Sequence, residues 1–175
     1  MQRANHGSER MTRIFVAAPM SVFAADAEYA RHRDILNWLC AWLEQDEGVS
    51  VYFAGRAIDG ASGFDDPKKA FLADFDALVK CDLFVLYYPA PVRSSVLVEL
   101  GIAIGRGKPC LLLPARREDL VFLLQQAENQ SGHGEIPPII IREFGEQGPS
   151  VERLAGFVAE AMEMFGLGRP KPARA

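Results

Sequence analysis

The sequence predicts a single α/β domain with a doubly wound, flavodoxin- or Rossmann-like fold and a five-stranded parallel sheet. Short apolar segments typical of strands alternate with segments whose apolar residues recur at helical spacing, and each parallel connection needs such a crossover helix. The strand segment Leu83–Tyr87 is apolar almost throughout, as expected where helices cover both faces of a sheet. The length of 175 residues matches one domain. For about five parallel strands the usual order is 2-1-3-4-5.

The predicted elements begin with a strand and then alternate. In chain order they are the strand Arg13–Ala18, the helix Asp26–Glu47, the strand Val49–Ala54, the helix Pro67–Lys80, the strand Leu83–Tyr87, the helix Ser95–Gly105, the strand Pro109–Leu113, the helix Arg117–Ala127, the strand Ile139–Arg142 and the helix Val151–Phe165. Gly48 ends the first helix, and Asp66 followed by Pro67 is an N-cap with proline at the first helical position. Ser94 and Ser95 can cap the third helix.

The ends of the chain differ in composition from its middle. We expect a flexible polar leader over residues 1–11, the α/β domain over 12–166 and a basic tail over 167–175. Basic residues before Ile14–Ala25 give that run some likeness to a signal peptide, but Pro19 interrupts it and its first half fits a strand. No apolar stretch reaches the roughly 18 residues of a membrane-spanning helix, so the sequence predicts no membrane association.

Charge and cysteine content narrow the classes of partner. With 19 lysine and arginine residues against 23 aspartate and glutamate residues, the net charge is −4, which argues against duplex nucleic acid but leaves small anionic ligands open. Cys40, Cys81 and Cys110 are widely spaced in apolar surroundings without metal-ligand spacing. They are interpreted as buried free thiols of a reducing, cytoplasmic compartment. We expect no metal and no cofactor.

Glu99 is the most unusual residue of the sequence. The strand order places the ligand crevice at the carboxyl ends of strands one and three, which indicates the loops Ala17–Ala25 and Tyr88–Ser95. Glu99 follows the second loop, in a helix segment that is apolar on almost every side. One interpretation is a first-turn acid that complements the helix dipole. The other, which we favour, is a catalytic carboxylate at the crevice. An unpaired acid in apolar surroundings lowers the stability of a protein, so its presence there indicates a function.

Asp74 is the second candidate acid. On its helix it falls inside the apolar stripe, between Phe71 and Leu78, so it is expected to point inward. Asp76 falls on the opposite side, where Lys80 follows one turn later as a surface partner. The alternative for Asp74 is a structural acid that caps a helix or forms an ion pair.

Ser94, Ser95 and the helix N-terminus that follows them form a natural anion site, to which Arg93 can add positive charge. Simple N-capping is the alternative for the serines. Weaker binding candidates stand at the predicted ends of strands; they are Ala18, Pro19, Met20, Arg56 and Tyr88.

Three segments carry a resemblance to a known family. Phe15–Pro19 (FVAAP), Asp74–Asp82 (DFDALVKCD) and Ser94–Pro109 (SSVLVELGIAIGRGKP) resemble the nucleoside 2-deoxyribosyltransferase superfamily. Within it, the chain is most similar to nucleotide N-glycosidases, including those that split cytidine monophosphate. The resemblance runs from about residue 14 to 165 and includes Arg117–Leu124.

The resemblance implies an N-glycoside hydrolase or transferase in which Glu99 is the nucleophile and Asp74 its helper acid. The serine-bearing loop would meet sugar or phosphate. The family usually has glycine where Ser95 stands, and its deoxyribosyltransferases carry an acid at the position of Arg93. A basic residue there suits a nucleotide phosphate, so the implied substrate is a nucleoside monophosphate. The resemblance also implies a homodimer or larger homo-oligomer whose sites are completed by a neighbouring subunit.

Two other classes of function remain open at this stage. Toll/interleukin-receptor-like (TIR-like) domains share this fold and a glutamate after a serine-containing loop, and would imply signalling or cleavage of NAD in bacterial defence. A nucleotide-binding protein without turnover is the third possibility. Release of free base, release of nicotinamide, or neither would distinguish the three.

Overall fold

The computed structural model describes residues 11–20, 23, 26–57, 66–168 and 170. Within them, five parallel strands form one sheet in the order 2-1-3-4-5, which confirms the predicted fold. The strands are β1 Thr12–Ala17, β2 Val49–Phe53, β3 Leu83–Tyr88, β4 Cys110–Pro114 and β5 Ile139–Ile141. The α-helices are α1 Asp26–Leu43, α2 Pro67–Lys80, α3 Val96–Gly105 and α4 Val151–Met164, and short 3-10 helices span Ala54–Ala57, Arg117–Asp119 and Phe122–Leu124.

Alternation along the strands divides the apolar side chains between two cores. Val85 packs with residues of α1 and α4 on one face of the sheet, whereas Phe84 and Leu86 pack with residues of α2 and α3 on the other. Successive side chains of a strand point to opposite faces, so a strand that is apolar throughout must be covered on both. The two acids singled out by the sequence, Asp74 and Glu99, therefore belong to the α2–α3 layer.

The start of α2 follows the sequence prediction. The Asp66 side chain accepts a hydrogen bond from the backbone N–H of Lys68 at 2.9 Å, and Pro67 occupies the first helical position. The start of α3 departs from it, because Ser95 stands at the N-cap but its side chain makes no capping hydrogen bond. The predicted N-cap position of a serine is thus confirmed for Ser95, whereas its side chain does not form the capping hydrogen bond.

The continuous helix predicted over Arg117–Ala127 was also wrong, since this segment forms two separate 3-10 turns. The Gln125 side chain donates to the carbonyl oxygen of Leu120 at 2.9 Å, and the buried Asp119 carboxylate accepts from the backbone N–H of Arg116 at 3.1 Å. Hydrogen bonds from side chains to the backbone compete with the helical pattern, and here they replace it.

The remaining sequence predictions concern thiols, membranes and termini. Cys40, Cys81 and Cys110 are free and buried, as expected. Across the part of the chain that the structure describes, no helix is both long and apolar enough to cross a membrane. The predicted leader 1–11 and tail 167–175 lie outside the described residues except for 11, 167, 168 and 170.

Candidate active site

A cleft of about 460 Å³ lies between α2 and α3. Among the described residues that line it, three carry polar side chains, namely Asp74, Ser95 and Glu99. The other described lining residues are apolar; they are Pro67, Ala70, Phe71, Phe75, Leu78, Val98 and Ile102. The cleft thus combines two carboxyl groups with mainly apolar surroundings. Such a combination is typical of sites in which the pKa values of acids are shifted.

Helical spacing explains why both acids reach this cleft. On α2 the lining positions recur every three or four residues, which places Asp74 one turn after Ala70 and one turn before Leu78. On α3 the same spacing places Glu99 one turn after Ser95. Asp76 falls outside the cleft and pairs with Lys80 at 2.6 Å, which confirms the predicted difference between the two aspartates of α2.

Tyr52 completes the polar part of the site, and the sequence analysis missed it. The Tyr52 hydroxyl donates a hydrogen bond to Oδ1 of Asp74 at 2.8 Å. Its ring stands on β2, the strand next to β1, and packs against Phe15. The available signal was a tyrosine on a strand of a sheet that an acid-bearing helix covers. The hydroxyl of a buried tyrosine usually has a hydrogen-bond partner, and an acid of that helix is a candidate for it.

The two carboxyl groups differ in their electrostatic surroundings. Burial and the nearby charge of Asp74 raise the pKa of Glu99 to about 7, although a hydrogen bond with the Ser95 side chain acts in the opposite direction. Burial also raises the pKa of Asp74, and there the hydrogen bond from Tyr52 opposes the rise. At neutral pH, Glu99 is therefore close to half protonated, whereas a carboxyl in water is ionised.

Such a pair can perform nucleophilic or acid–base chemistry. Two carboxyl groups whose surroundings favour different protonation states are the usual means of cleaving a glycosidic bond, one as nucleophile or base and the other as proton carrier. Within the described residues, no group of three or more His, Cys, Asp and Glu side chains is arranged to hold a metal ion.

The loop before α3 contributes a second polar feature. The hydroxyl oxygen of Ser94 is buried and has no hydrogen-bond partner among the residues that the structure describes. Arg93, next to it, is exposed. Both residues precede Ser95, the N-cap of α3, at the end of the helix where its dipole favours a negative group.

The other sequence candidates lie away from the lining of the cleft. Met20 is only 3% exposed and packs in the α1–α4 core, where Ala18 also makes contact, and Pro19 is buried. Tyr88 is buried, and its hydroxyl donates to the backbone oxygen of Val92. Arg56 forms an ion pair with Glu44 at 2.7 Å. The structure thus brings Asp74, Ser95 and Glu99 together and leaves these five residues in other surroundings.

Comparisons with known proteins connect the fold to solved structures. No family model matches the sequence, and the curated proteins contain no match to it. The structure is similar to that of the CMP N-glycosidase BcmB of Clostridium botulinum, with a TM-score of 0.55 and 22% identity over 83% of this chain and 99% of that one. A conserved protein of Enterococcus faecalis V583 matches with a TM-score of 0.45 and 19% identity over 91% of this chain and 89% of that one. At this identity the likeness to BcmB shows a shared fold.

Proposed function

We propose that this protein is an N-glycosidase that cleaves the bond between base and sugar in a nucleoside monophosphate. The observation that carries the proposal is the placement of Asp74 and Glu99 in one apolar cleft, with the pKa of Glu99 raised to about 7. The sequence resemblance to nucleotide N-glycosidases supports the same activity, and so does the CMP N-glycosidase activity in the name of the structural neighbour.

In the proposed mechanism the ionised Glu99 attacks the anomeric carbon of the substrate. A bond forms between the Glu99 carboxylate and that carbon, the carbon–nitrogen bond to the base breaks, and the base leaves with the bonding electron pair and takes up a proton from solvent water. Water then hydrolyses the glycosyl-enzyme and releases the sugar phosphate. Asp74, as a carboxylate, would orient Glu99 in the first step and accept the proton of the attacking water in the second.

The loop before α3 supports a phosphate-bearing substrate. A phosphate needs hydrogen-bond donors and positive charge. The Ser94 hydroxyl, which has no partner among the described residues, provides a donor, and the neighbouring Arg93 and the dipole of α3 provide positive charge. Nucleoside monophosphates should therefore be better substrates than the corresponding nucleosides.

A substrate panel tests this proposal. The protein is incubated with cytidine monophosphate, other ribonucleoside and deoxynucleoside monophosphates, the matching nucleosides and NAD, and free base or nicotinamide is quantified by chromatography. We expect free base from at least one monophosphate, with a kcat/KM roughly tenfold or more above that of its nucleoside, because a charged hydrogen-bonded contact contributes about 1.5–3 kcal/mol.

The same panel separates the alternatives. Release of nicotinamide alone would favour the TIR-like interpretation, and binding of nucleotides without any product would favour a binding protein. Asp74→Asn should reduce base release, whereas Asp76→Asn, a matched change on the exposed side of the same helix, should leave it unchanged. Equal effects of the two substitutions would contradict the assignment of the cleft.

We also propose that the outer surface of α2 and α3 forms an interface with a second copy of the chain. Phe71 is 58%, Leu72 57% and Val98 63% exposed, and all three stand on these helices. A cluster of exposed apolar side chains is typical of a protein–protein interface. The resemblance to enzymes whose sites are shared between subunits supports this choice of partner.

Sedimentation at micromolar concentration should therefore give a dimer or a larger assembly, and Val98→Asp should shift it toward the monomer. Ile136→Asp is the matched control, because Ile136 is 50% exposed but lies outside both helices. A monomeric unmodified protein at that concentration would contradict the expected assembly.

A further inference from the structure

The side chain of Tyr52, which bonds Asp74, is held in place by a row of stacked aromatic rings. Its ring stacks on Phe15 with the centroids 5.2 Å apart, and Phe15 stacks in turn on Phe84 at 5.5 Å. These three residues are direct register partners on β2, β1 and β3, so the row of rings is fixed by the backbone pairing of the sheet. From this row the Tyr52 hydroxyl reaches Oδ1 of Asp74 at 2.8 Å.

The direction of this hydrogen bond favours one protonation state of Asp74. A tyrosine hydroxyl with a pKa raised by burial and by the charge of Asp74 stays protonated, so it acts as donor and the Asp74 oxygen as acceptor. A donated hydrogen bond stabilises a carboxylate more than a neutral carboxylic acid. Tyr52 therefore stabilises the ionised form of Asp74.

That charge acts on Glu99 across the cleft. The titratable groups that act on one another here are Tyr52 from β2, Asp74 from α2 and Glu99 from α3, and Ser95 adds a hydrogen bond to Glu99. The nearby guanidinium of Arg106 is directed over the ring of Phe75, 5.9 Å from its centroid. With one carboxylate stabilised by Tyr52, the neighbouring carboxyl group is the one that retains a proton.

We propose that Tyr52 is a positioning residue that holds Asp74 in place as the charged member of the carboxyl pair and thereby keeps the proton of the pair on Glu99 in the free protein. The consequence for catalysis rests on the proposed function, whereas the location of the proton does not. Before it attacks a sugar, Glu99 must release this proton to water, so Tyr52 determines which acid is ready to react and at which pH.

The test is a titration of the two carboxyl groups by ¹³C NMR on protein labelled at the Asp and Glu side-chain carboxyl carbons. Asp74→Asn and Glu99→Gln assign the two signals. In the unmodified protein we expect Asp74 to titrate at lower pH than Glu99, whose midpoint lies at about 7. In Tyr52→Phe we expect the Asp74 midpoint to rise and the Glu99 midpoint to fall, each by about one pH unit, a tenfold change in proton affinity.

Tyr87→Phe is the matched control. It also removes the hydroxyl of a buried strand tyrosine, but that hydroxyl bonds Nδ1 of His32 at 2.7 Å on the other face of the sheet. Neither carboxyl signal should move in this variant. Unchanged midpoints of Asp74 and Glu99 in Tyr52→Phe, or equal shifts in both tyrosine variants, would overturn the proposal.

A second variant keeps the proposal testable if Tyr52→Phe does not fold. Asp74→Asn removes the charge without touching the row of rings, and the Glu99 midpoint should then move toward its ordinary value of 4.5. A Glu99 midpoint that stays in place would overturn the proposal, since the charge of Asp74 would then not hold the proton on Glu99.

Kinetics add a readout that depends on the proposed function. With a substrate from the panel, Tyr52→Phe should lower kcat by roughly 10- to 100-fold, the effect of a misplaced catalytic group, and change KM much less. If the unmodified protein cleaves no substrate but the NMR midpoints shift as expected, the proposed function fails and the role of Tyr52 stands. If cleavage occurs but the midpoints do not shift, the role of Tyr52 fails and the proposed function stands.

Discussion

Replacing Glu99 with Gln should reduce base release by several orders of magnitude and leave the protein at least as stable as before. The amide has the shape of the carboxyl group but cannot form the bond to the anomeric carbon, and no other described residue of the cleft places a nucleophile in the same position. The substitution also removes a carboxyl group that is poorly solvated between apolar helices.

The measurement combines initial rates on the best monophosphate of the panel with thermal unfolding of the same preparations. Asp76→Asn is the control, because it neutralises an acid that is ion-paired at the surface of α2. The helix-dipole interpretation of Glu99 predicts the opposite pattern, a loss of about 0.3–1 kcal/mol in stability with unchanged activity. Turnover retained in Glu99→Gln would end its assignment as the nucleophile.

The fold could be predicted because its signals are local. The segment Leu83–Tyr88 is apolar without a break, and it forms a strand buried on both faces. Asp66 and Pro67 indicated the start of α2 to the residue. Each of these signals depends on a few neighbours in sequence, so no knowledge of distant contacts was needed.

The segment 117–127 shows where local signals fail. Its apolar residues recur at helical spacing, but the Gln125 side chain occupies a backbone carbonyl and Asp119 binds the backbone N–H of Arg116. Whether these hydrogen bonds form depends on the tertiary packing around them. The spacing of apolar residues carries no information on that packing. The same reason applies to Ser95, a predicted cap whose hydroxyl interacts with Glu99 instead.

The candidate site was predictable in part. Asp74 and Glu99 were found because an acid inside an apolar stripe violates the pattern of its own helix. Tyr52 violates no pattern, since a tyrosine fits a strand, and its hydrogen bond to Asp74 joins two elements, β2 and α2, that only the tertiary fold brings together. Arg56 looked available in the sequence, but Glu44, the residue directly after α1, pairs with it. Partners between elements are set by tertiary packing, which one sequence does not reveal.

The raised pKa of Glu99 should also appear as a pH-dependent difference in stability between the unmodified protein and Glu99→Gln. In the unfolded chain this carboxyl has its ordinary pKa of 4.5, and in the folded protein the pKa is about 7. Between these values the folded state binds more protons than the unfolded state, so stability falls as pH rises through this window. Above pH 7 the loss is complete and the difference becomes constant.

Glu99→Gln lacks this titration, whereas both proteins share the titrations of the remaining acids and of His32. We subtract the free energy of unfolding of the unmodified protein from that of the variant. This difference should be smallest near pH 4.5 and increase up to about pH 7. The increase should be at most about 3 kcal/mol, from 1.36 kcal/mol per pKa unit. Urea unfolding of both proteins at pH 5 and pH 8 measures it, with Asp76→Asn as the control. A difference independent of pH would show that Glu99 ionises in the folded protein as it does in water, and the apolar cleft would then have no influence on the acid that the proposed mechanism depends on.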